Sequence, residues 1–334
     1  TGGGAVRGGR GVRGGGAGVG DEDIPAPGEA WTPIRLTRWS GRYLEERGVE
    51  NGRLDAELLL ARVLGLRRLD LYLQFDRPLL DGELKEFKEL FLRRASREPL
   101  QHVLGSTTFR ELELKTDTRA LVPRPETEVL VDVVLTWARE EGREEGRELT
   151  CLDVGTGSGA IVLSLLKEGP FCRGVATDPS EEALELAREN AANLGLAERV
   201  ELRRGRLFEP ILPHERFDAV VSNPPYVPEG DRGSLEPEVR DWEPAGALFA
   251  GSEGLDVLRP LVEEASRFLR SGGFFAAEIG EGQGGEVAGL MECPGGFHDV
   301  RIIPDLTGKD RIVTGVAPKT DLKEVEGRSL EKGP

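Results

Sequence analysis

Apolar residues Leu54, Leu58, Leu59, Val63 and Leu64 recur at three- and four-residue steps, and Gly65 ends the run. That is the period of one face of an amphipathic helix. Leu84, Phe87, Leu90, Phe91 and Leu92 repeat it, and Trp31, Ile34, Leu36 and Trp39 lead in. Pairs such as Asp81-Gly82 are expected as the short loops between helices. Residues 31–102 thus read as a small helical bundle suited to substrate presentation. Across 103–122 the period changes. Thr108, Phe109, Leu112, Leu114 and Leu121-Val122 fit a β-hairpin linker. Over 123–318 short apolar runs then alternate with amphipathic ones. Strands are expected at 150–154, 174–178, 199–203, 217–222, 273–279, 298–303 and 311–317, and helices at about 159–168, 180–194, 255–270 and 282–291. This alternation predicts an α/β, Rossmann-like domain with a seven-stranded, mostly parallel sheet covered on both faces. Gly315 and the close spacing of the last two runs predict a closing antiparallel hairpin.

The two ends differ in kind. Eleven of the first twenty residues are Gly, with Arg7, Arg10 and Arg13 among them. Residues 1–30 cannot bury enough apolar surface to offset their ordering entropy, so a disordered tail is expected. It is only weakly similar to an Arg-Gly RNA-binding tail. Residues 319–334 read as a polar tail. The net charge of −16 argues against non-specific nucleic-acid binding, which needs cations to neutralise phosphates. No run of about 18 apolar residues is present, so no membrane span is expected. Cys151, Cys172 and Cys293 form no CxxC pair, and His102, His214 and His298 are equally scattered, so no metal site is expected. A reducing, cytoplasmic setting fits this usage, with an organellar matrix as the alternative, and a monomer is expected.

Candidate chemistry sits at three strand ends. Cys151 to Ile161 contains Asp153, Gly155, Thr156, Gly157, Ser158 and Gly159, a strand, a glycine turn and a helix start. The glycines let backbone approach a ligand, and the G-x-G-x-G spacing differs from the G-x-G-x-x-G that cradles a pyrophosphate. Asp178 ends the next strand, where a carboxylate can accept both hydroxyls of a ribose. The plainer role is capping the helix that starts near Ser180. The third feature is Phe217 to Ser222 running into Asn223-Pro224-Pro225-Tyr226. Proline cannot donate to a ladder, so the strand stops, and Pro224 pushes Asn223 into an extended conformation. Asn223 Oδ1 and the Pro224 carbonyl can each accept one N–H of a planar nitrogen, with Tyr226 against the plane.

Pro123-Arg124-Pro125-Glu126-Thr127-Glu128 reads as a rigid lip before a helix whose dipole the acids complement. Arg124 is a candidate for gripping a partner, or for an ion pair with Glu278 or Asp153. Glu238, Arg240 and Glu243 are expected in a lid, and Asp305, Lys309 and Arg311 in the terminal hairpin.

These motifs occur in a fixed order. Pro99 to Gly105, Pro123 to Glu128, Gly155 to Ile161 and Asn223 to Tyr226 are followed by Glu238-Val239-Arg240, Glu243-Pro244, Gly254-Leu255-Asp256, Glu278-Ile279-Gly280 and Asp305 to Arg311. Over about residues 50–317 the chain resembles the release-factor glutamine methyltransferases, class I enzymes dependent on S-adenosylmethionine. The resemblance implies an N-terminal bundle, a hairpin linker and a catalytic domain. It implies methylation of the Gln amide in the Gly-Gly-Gln motif of peptide chain release factors, with no direct nucleic-acid partner. It places Gly155 to Gly159, Asp178, Leu207 and Asn223 on the cofactor, with Asp153 of the same motif expected beside them, and Asn223, Pro224, Pro225 and Tyr226 on the substrate together with Arg124, with Asn223, Pro224 and Tyr226 catalytic. The chain departs from the family at Arg206, where an acid is usual, at Leu207, where an aromatic is frequent, at His102 for a common Tyr, and at Arg110 or Glu111 for a Gly. Competing readings are a ribosomal-protein glutamine methyltransferase, an adenine amino methyltransferase and a non-enzymatic RNA-binding protein.

Overall fold

The computed structural model describes residues 23–145, 148–294, 296–305 and 307–319. The expectations for residues 1–22 and 320–334 lie outside them, as does Leu306. The chain divides into two compact units, Thr1–Leu100 and Gln101–Pro334.

The first unit is helical. Helix α1 (Pro33–Glu45) opens with proline in its first turn, where a missing N–H costs nothing. Helix α2 (Gly52–Leu64) ends on Gly65 at φ 63°, a left-handed cap that favours glycine. Helix α3 (Asp81–Ala95) corrects one expectation, because Asp81-Gly82 is its first turn and not a loop. Glu83 explains this: its carboxylate accepts the Leu80 N–H at 2.8 Å and satisfies the helix start. Leu54 and Leu92 leave their assigned stripes and are exposed; in α3, Phe87 and Phe91 define the buried face and Leu92 lies one residue round from it. Inside the unit Arg94 Nε donates to Asp55 Oδ2 at 2.7 Å, both side chains being buried. Asp55→Ala strips a buried guanidinium of this partner and is expected to cost about 3–5 kcal/mol in urea unfolding.

A short helix α4 (Leu100–Leu104) begins on the last residue of the first unit, and the hairpin of β1 (Ser106–Phe109) and β2 (Leu112–Lys115) follows in the second. The ladder stops at Lys115, so Leu121-Val122 is not part of it. Helix α5 (Pro125–Glu145) begins at the second proline of the lip. Then follow β3 (Leu149–Val154), α6 (Ala160–Glu168), β4 (Phe171–Asp178), α7 (Glu181–Asn193), β5 (Val200–Arg204), β6 (Phe217–Ser222), α8 (Pro237–Arg240), α9 (Leu258–Ala265), β7 (Leu269–Glu278), α10 (Gly284–Met291), β8 (His298–Pro304) and β9 (Asp310–Val316).

The seven strands lie in the order β5-β4-β3-β6-β7-β9-β8. β3 to β7 run parallel, and β9 pairs antiparallel with both β7 and β8. The chain therefore winds outward from β3 through β4 and β5, then returns to place β6 on the other side of β3. The carboxyl ends of β3 and β6 form the switch point where ligands bind in open α/β sheets. Side chains alternate between two cores. Ala219, Val221 and Ala276 pack with Leu130 and Ile161, whereas Val220, Phe275 and Ala277 pack with Leu258, Leu261 and Val287. The helix expected over 255–270 stops at Ala265 with a 3₁₀ turn to Phe268, and β7 starts at Leu269. Register explains it: Phe217 faces Leu269 but Ala219 already faces Phe274, so Arg270–Gly273 bulges out, with Gly272 at φ 75°. Among the described residues no helix is long and apolar enough to cross a membrane, and no group of three His, Cys, Asp or Glu is placed to hold a metal ion.

Candidate active site

The turn after β3 is built from positive-φ glycines, Gly155 at 76°, Gly157 at 56° and Gly159 at 85°. The Gly155 and Thr156 N–H groups both donate to the Thr177 carbonyl, at 2.8 and 2.9 Å, fastening the turn to the end of β4. Asp178 accepts the Gly157 N–H on Oδ2 and the Ser180 N–H on Oδ1, each at 2.9 Å. The expected cap of α7 is made by Ser180, whose Oγ accepts the Ala183 N–H at 3.1 Å. Burial raises the Asp178 pKa above the ordinary aspartate value, opposed by its two backbone donors.

These residues border a cavity of about 390 Å³ at the sheet edge, with Gly155 to Ser158, Asp178, Leu207 and Asn223 on its wall. A Cβ on Gly155 would meet nothing within 4 Å. Bare backbone beside a carboxylate with spare lone pairs fits a nucleoside ligand. Leu207 holds φ 50°, and Thr177 Oγ1 donates to its carbonyl at 3.1 Å. Arg206 is exposed and also reaches the wall.

Two residues expected on the ligand stand elsewhere. Asp153 is fully buried behind the turn; its Oδ2 accepts from Thr156 Oγ1 at 2.7 Å and from the Val162 N–H at 3.3 Å. Burial first, and then the Asp178 charge, push its pKa to about 7, while those two donors pull it down. Asp153 braces the turn. Gly159 caps α6, and a Cβ there would lie 3.0 Å from Leu163 Cδ1 and 3.3 Å from Ala187 Cβ. Its small size serves the approach of α6 to α7.

A second cavity, also of about 390 Å³, adjoins the first. Asn223, Pro224 and Pro225 line both, as do Leu121, Arg124 and Ala247. Tyr226, Glu278 and Arg311 line only the second. Asn223 Nδ2 donates to Thr127 Oγ1 at 3.0 Å, Thr127 Oγ1 donates to Glu278 Oε2 at 2.7 Å, and the Tyr226 hydroxyl donates to Glu278 Oε1 at 2.9 Å. Glu278 closes β7 and is 1% exposed. Burial raises its pKa; Thr127, Tyr226 and Arg311 oppose this and Glu126 adds to it. Burial and the Glu278 charge raise Tyr226 in turn. Gln283 Nε2 donates to the Tyr226 carbonyl at 3.2 Å, and a Cβ on Gly254 would lie 2.2 Å from that oxygen, so the turn is clamped from behind.

Arg124 pairs with neither Glu278 nor Asp153. Its Nη2 donates to Glu243 Oε2 at 2.7 Å, and Glu243 Oε1 accepts the Val122 N–H at 3.3 Å. Buried Glu243 thus ties the segment before α9 to the lip. In that segment Leu235, Glu236 and Val239 line the second cavity; Glu238 and Arg240 do not. Asp305 Oδ1 accepts from Thr307 and Lys309 and shapes the β8–β9 turn as expected, whereas Arg311 also reaches the second cavity. Thr127 and Glu278 as a unit escape sequence reasoning, which reads Thr127 as part of a helix start.

The PrmC N-terminal domain family matches residues 35–105, and a methyltransferase domain family matches 151–242. The release factor glutamine methyltransferase of Geobacter sulfurreducens is 43% identical over 287 residues, covering 86% of this chain and 97% of that protein. The protein of the same name from Caulobacter vibrioides is 41% identical over 288 residues, covering 86% and 95%. Among solved structures, the hMettl16 catalytic domain in complex with a 3′UTR hairpin superimposes with a TM-score of 0.52 at 14% identity, covering 67% of this chain and 82% of that one. At that identity the likeness speaks for the fold alone.

Proposed function

The chain belongs to the release factor glutamine methyltransferase family and uses S-adenosylmethionine, and we propose that it methylates the side-chain amide nitrogen of the Gln in the Gly-Gly-Gln motif of a peptide chain release factor. The observation that carries this reading is the meeting of two cavities at Asn223-Pro224-Pro225. One has the bare glycine turn and ribose-ready carboxylate of a nucleoside site. The other ends on acceptors and a ring suited to a primary amide. A translation factor as substrate places the reaction in the cytoplasm or an organellar matrix.

S-adenosylmethionine supplies an electrophilic methyl group. Gly155 to Ser158 and Asp178 would hold it, with Leu207 beside the adenine. An amide nitrogen is a weak nucleophile because its lone pair is delocalised. Asn223 Oδ1 and the Pro224 carbonyl accept its two N–H groups and turn the lone pair toward the methyl. Tyr226, anchored through its hydroxyl on Glu278, faces the amide plane. Acceleration comes from positioning and fixed dipoles. Neither cavity wall carries a histidine, and the proton leaves after transfer without a dedicated base.

The test is transfer of labelled methyl from S-adenosylmethionine to a purified release factor, beside a version with Ala for the Gln of its Gly-Gly-Gln motif. Label on the first only is expected. Label on both, or on neither, would sink the reading.

A further inference from the structure

We infer that Glu278, acting through Thr127, sets which way the Asn223 amide faces, and so makes Asn223 an acceptor toward the substrate. The inference rests on the proposed function and extends it to two positioning residues.

An ionised carboxylate can only accept hydrogen bonds. Glu278 is buried, and hydroxyls sit on both of its oxygens, Thr127 at 2.7 Å and Tyr226 at 2.9 Å. Each hydroxyl has one proton, and both point at Glu278. Thr127 Oγ1 then has only lone pairs left for its other neighbour. The group of Asn223 facing it at 3.0 Å must therefore be the NH₂, which leaves Oδ1 for the acceptor cavity. A threonine alone would not decide this, because its hydroxyl can donate or accept. The acid two bonds away decides it.

The surroundings of Glu278 pull both ways: burial disfavours the ionised form, and the hydroxyls of Thr127 and Tyr226 favour it. Arg311 from β9 favours the ionised form, Glu126 from α5 disfavours it, and Arg311 is itself held by Asp305. With Gln at 278 an amide N–H can donate to Thr127. The Thr127 proton is then free to turn to Asn223, whose Oδ1 can swing to meet it. The substrate amide would then face N–H groups where it needs an acceptor.

Thr127→Val and Glu278→Gln are each expected to lower kcat by roughly 10-fold, the scale of one misdirected hydrogen bond. In Glu278→Gln the dissociation constant for S-adenosylmethionine should stay at the wild-type value, because Glu278 lines only the second cavity, whereas Thr127 borders the first. Thr127→Ser keeps the hydroxyl and should restore kcat. The double variant should lose little more than the worse single one, because both act in one chain. As pH falls through the raised pKa of Glu278, wild-type kcat should drop, and Glu278→Gln should lack that limb. A second readout needs no substrate. The side-chain amide signals of Asn223, in protein labelled with ¹⁵N at asparagine, should show slowed exchange in the wild type and lose it in Thr127→Val and Glu278→Gln. Wild-type kcat in Thr127→Val, or unmoved Asn223 signals in either variant, overturns the inference. If the wild type itself methylates no release factor, the proposed function falls, and the Asn223 signals still decide the network.

Discussion

Asn223→Ala is expected to lower kcat by on the order of 10²-fold or more, the loss seen when a single preorganised polar contact to a reacting centre is removed. Steady-state kinetics on a release factor checks it. The effect should appear in kcat more than in KM, since the bulk of the acceptor cavity is made by other residues. The reason is geometric. Asn223 sits at the carboxyl end of β6, where Pro224 ends the ladder, and its Nδ2 is already held by Thr127. Its Oδ1 is then a fixed acceptor at the junction of the two cavities, and a truncated side chain leaves the substrate nitrogen free to rotate. Asn223→Asp should not rescue the rate, because one carboxylate oxygen would face Thr127 Oγ1, whose proton is committed to Glu278. Near-normal turnover in Asn223→Ala would remove Asn223 from the chemistry.

Asp178→Ala is expected to weaken binding of S-adenosylmethionine by roughly 10²-fold in titration calorimetry, the scale of losing two hydrogen bonds to a charged group. The carboxylate braces the turn through Gly157 and the start of α7 through Ser180 while standing on the cavity wall. Its removal loosens the turn and deletes the acceptor proposed for the ribose hydroxyls. Asp178→Asn keeps one acceptor oxygen and should fall between. Because burial raises the Asp178 pKa, donor affinity should begin to drop at a higher pH than an ordinary aspartate would dictate, and drop further as pH falls. Unchanged affinity in Asp178→Ala would move the ribose elsewhere.

What the sequence makes legible is local. Gly155 to Gly159 and Asn223 to Tyr226 announce themselves because a positive φ or a proline after a strand restricts which residues can stand there. Alternating apolar runs reveal the sheet because its central strands, β3, β4, β6 and the second half of β7, are buried on both faces, whereas β5 and β8 at the edges are not. The failures are of two kinds. Asp81-Gly82 looked like a loop because its composition is that of a turn, yet a carboxylate two residues on satisfied the helix start. The bulge at Arg270–Gly273 is invisible without the partner strand that reveals it. The second kind is long range. Arg124 finds Glu243 across 119 residues, and Thr127 finds Glu278 across 151. No local rule selects those acids over the many others in a chain carrying 60. Asp153 and Gly159 belong to the right motif but serve it from behind, a distinction that only burial and the space around a Cβ reveal.

Tandem mass spectrometry of a release factor methylated by the wild-type protein tests the account most directly, because it reads the modified atom. The methyl group is predicted on the side-chain nitrogen of the Gln in the Gly-Gly-Gln motif, and on no other residue. A methyl group on any other side chain, or transfer to nucleic acid with the release factor left unmodified, would contradict an acceptor site built from Asn223 and Pro224 for a glutamine amide.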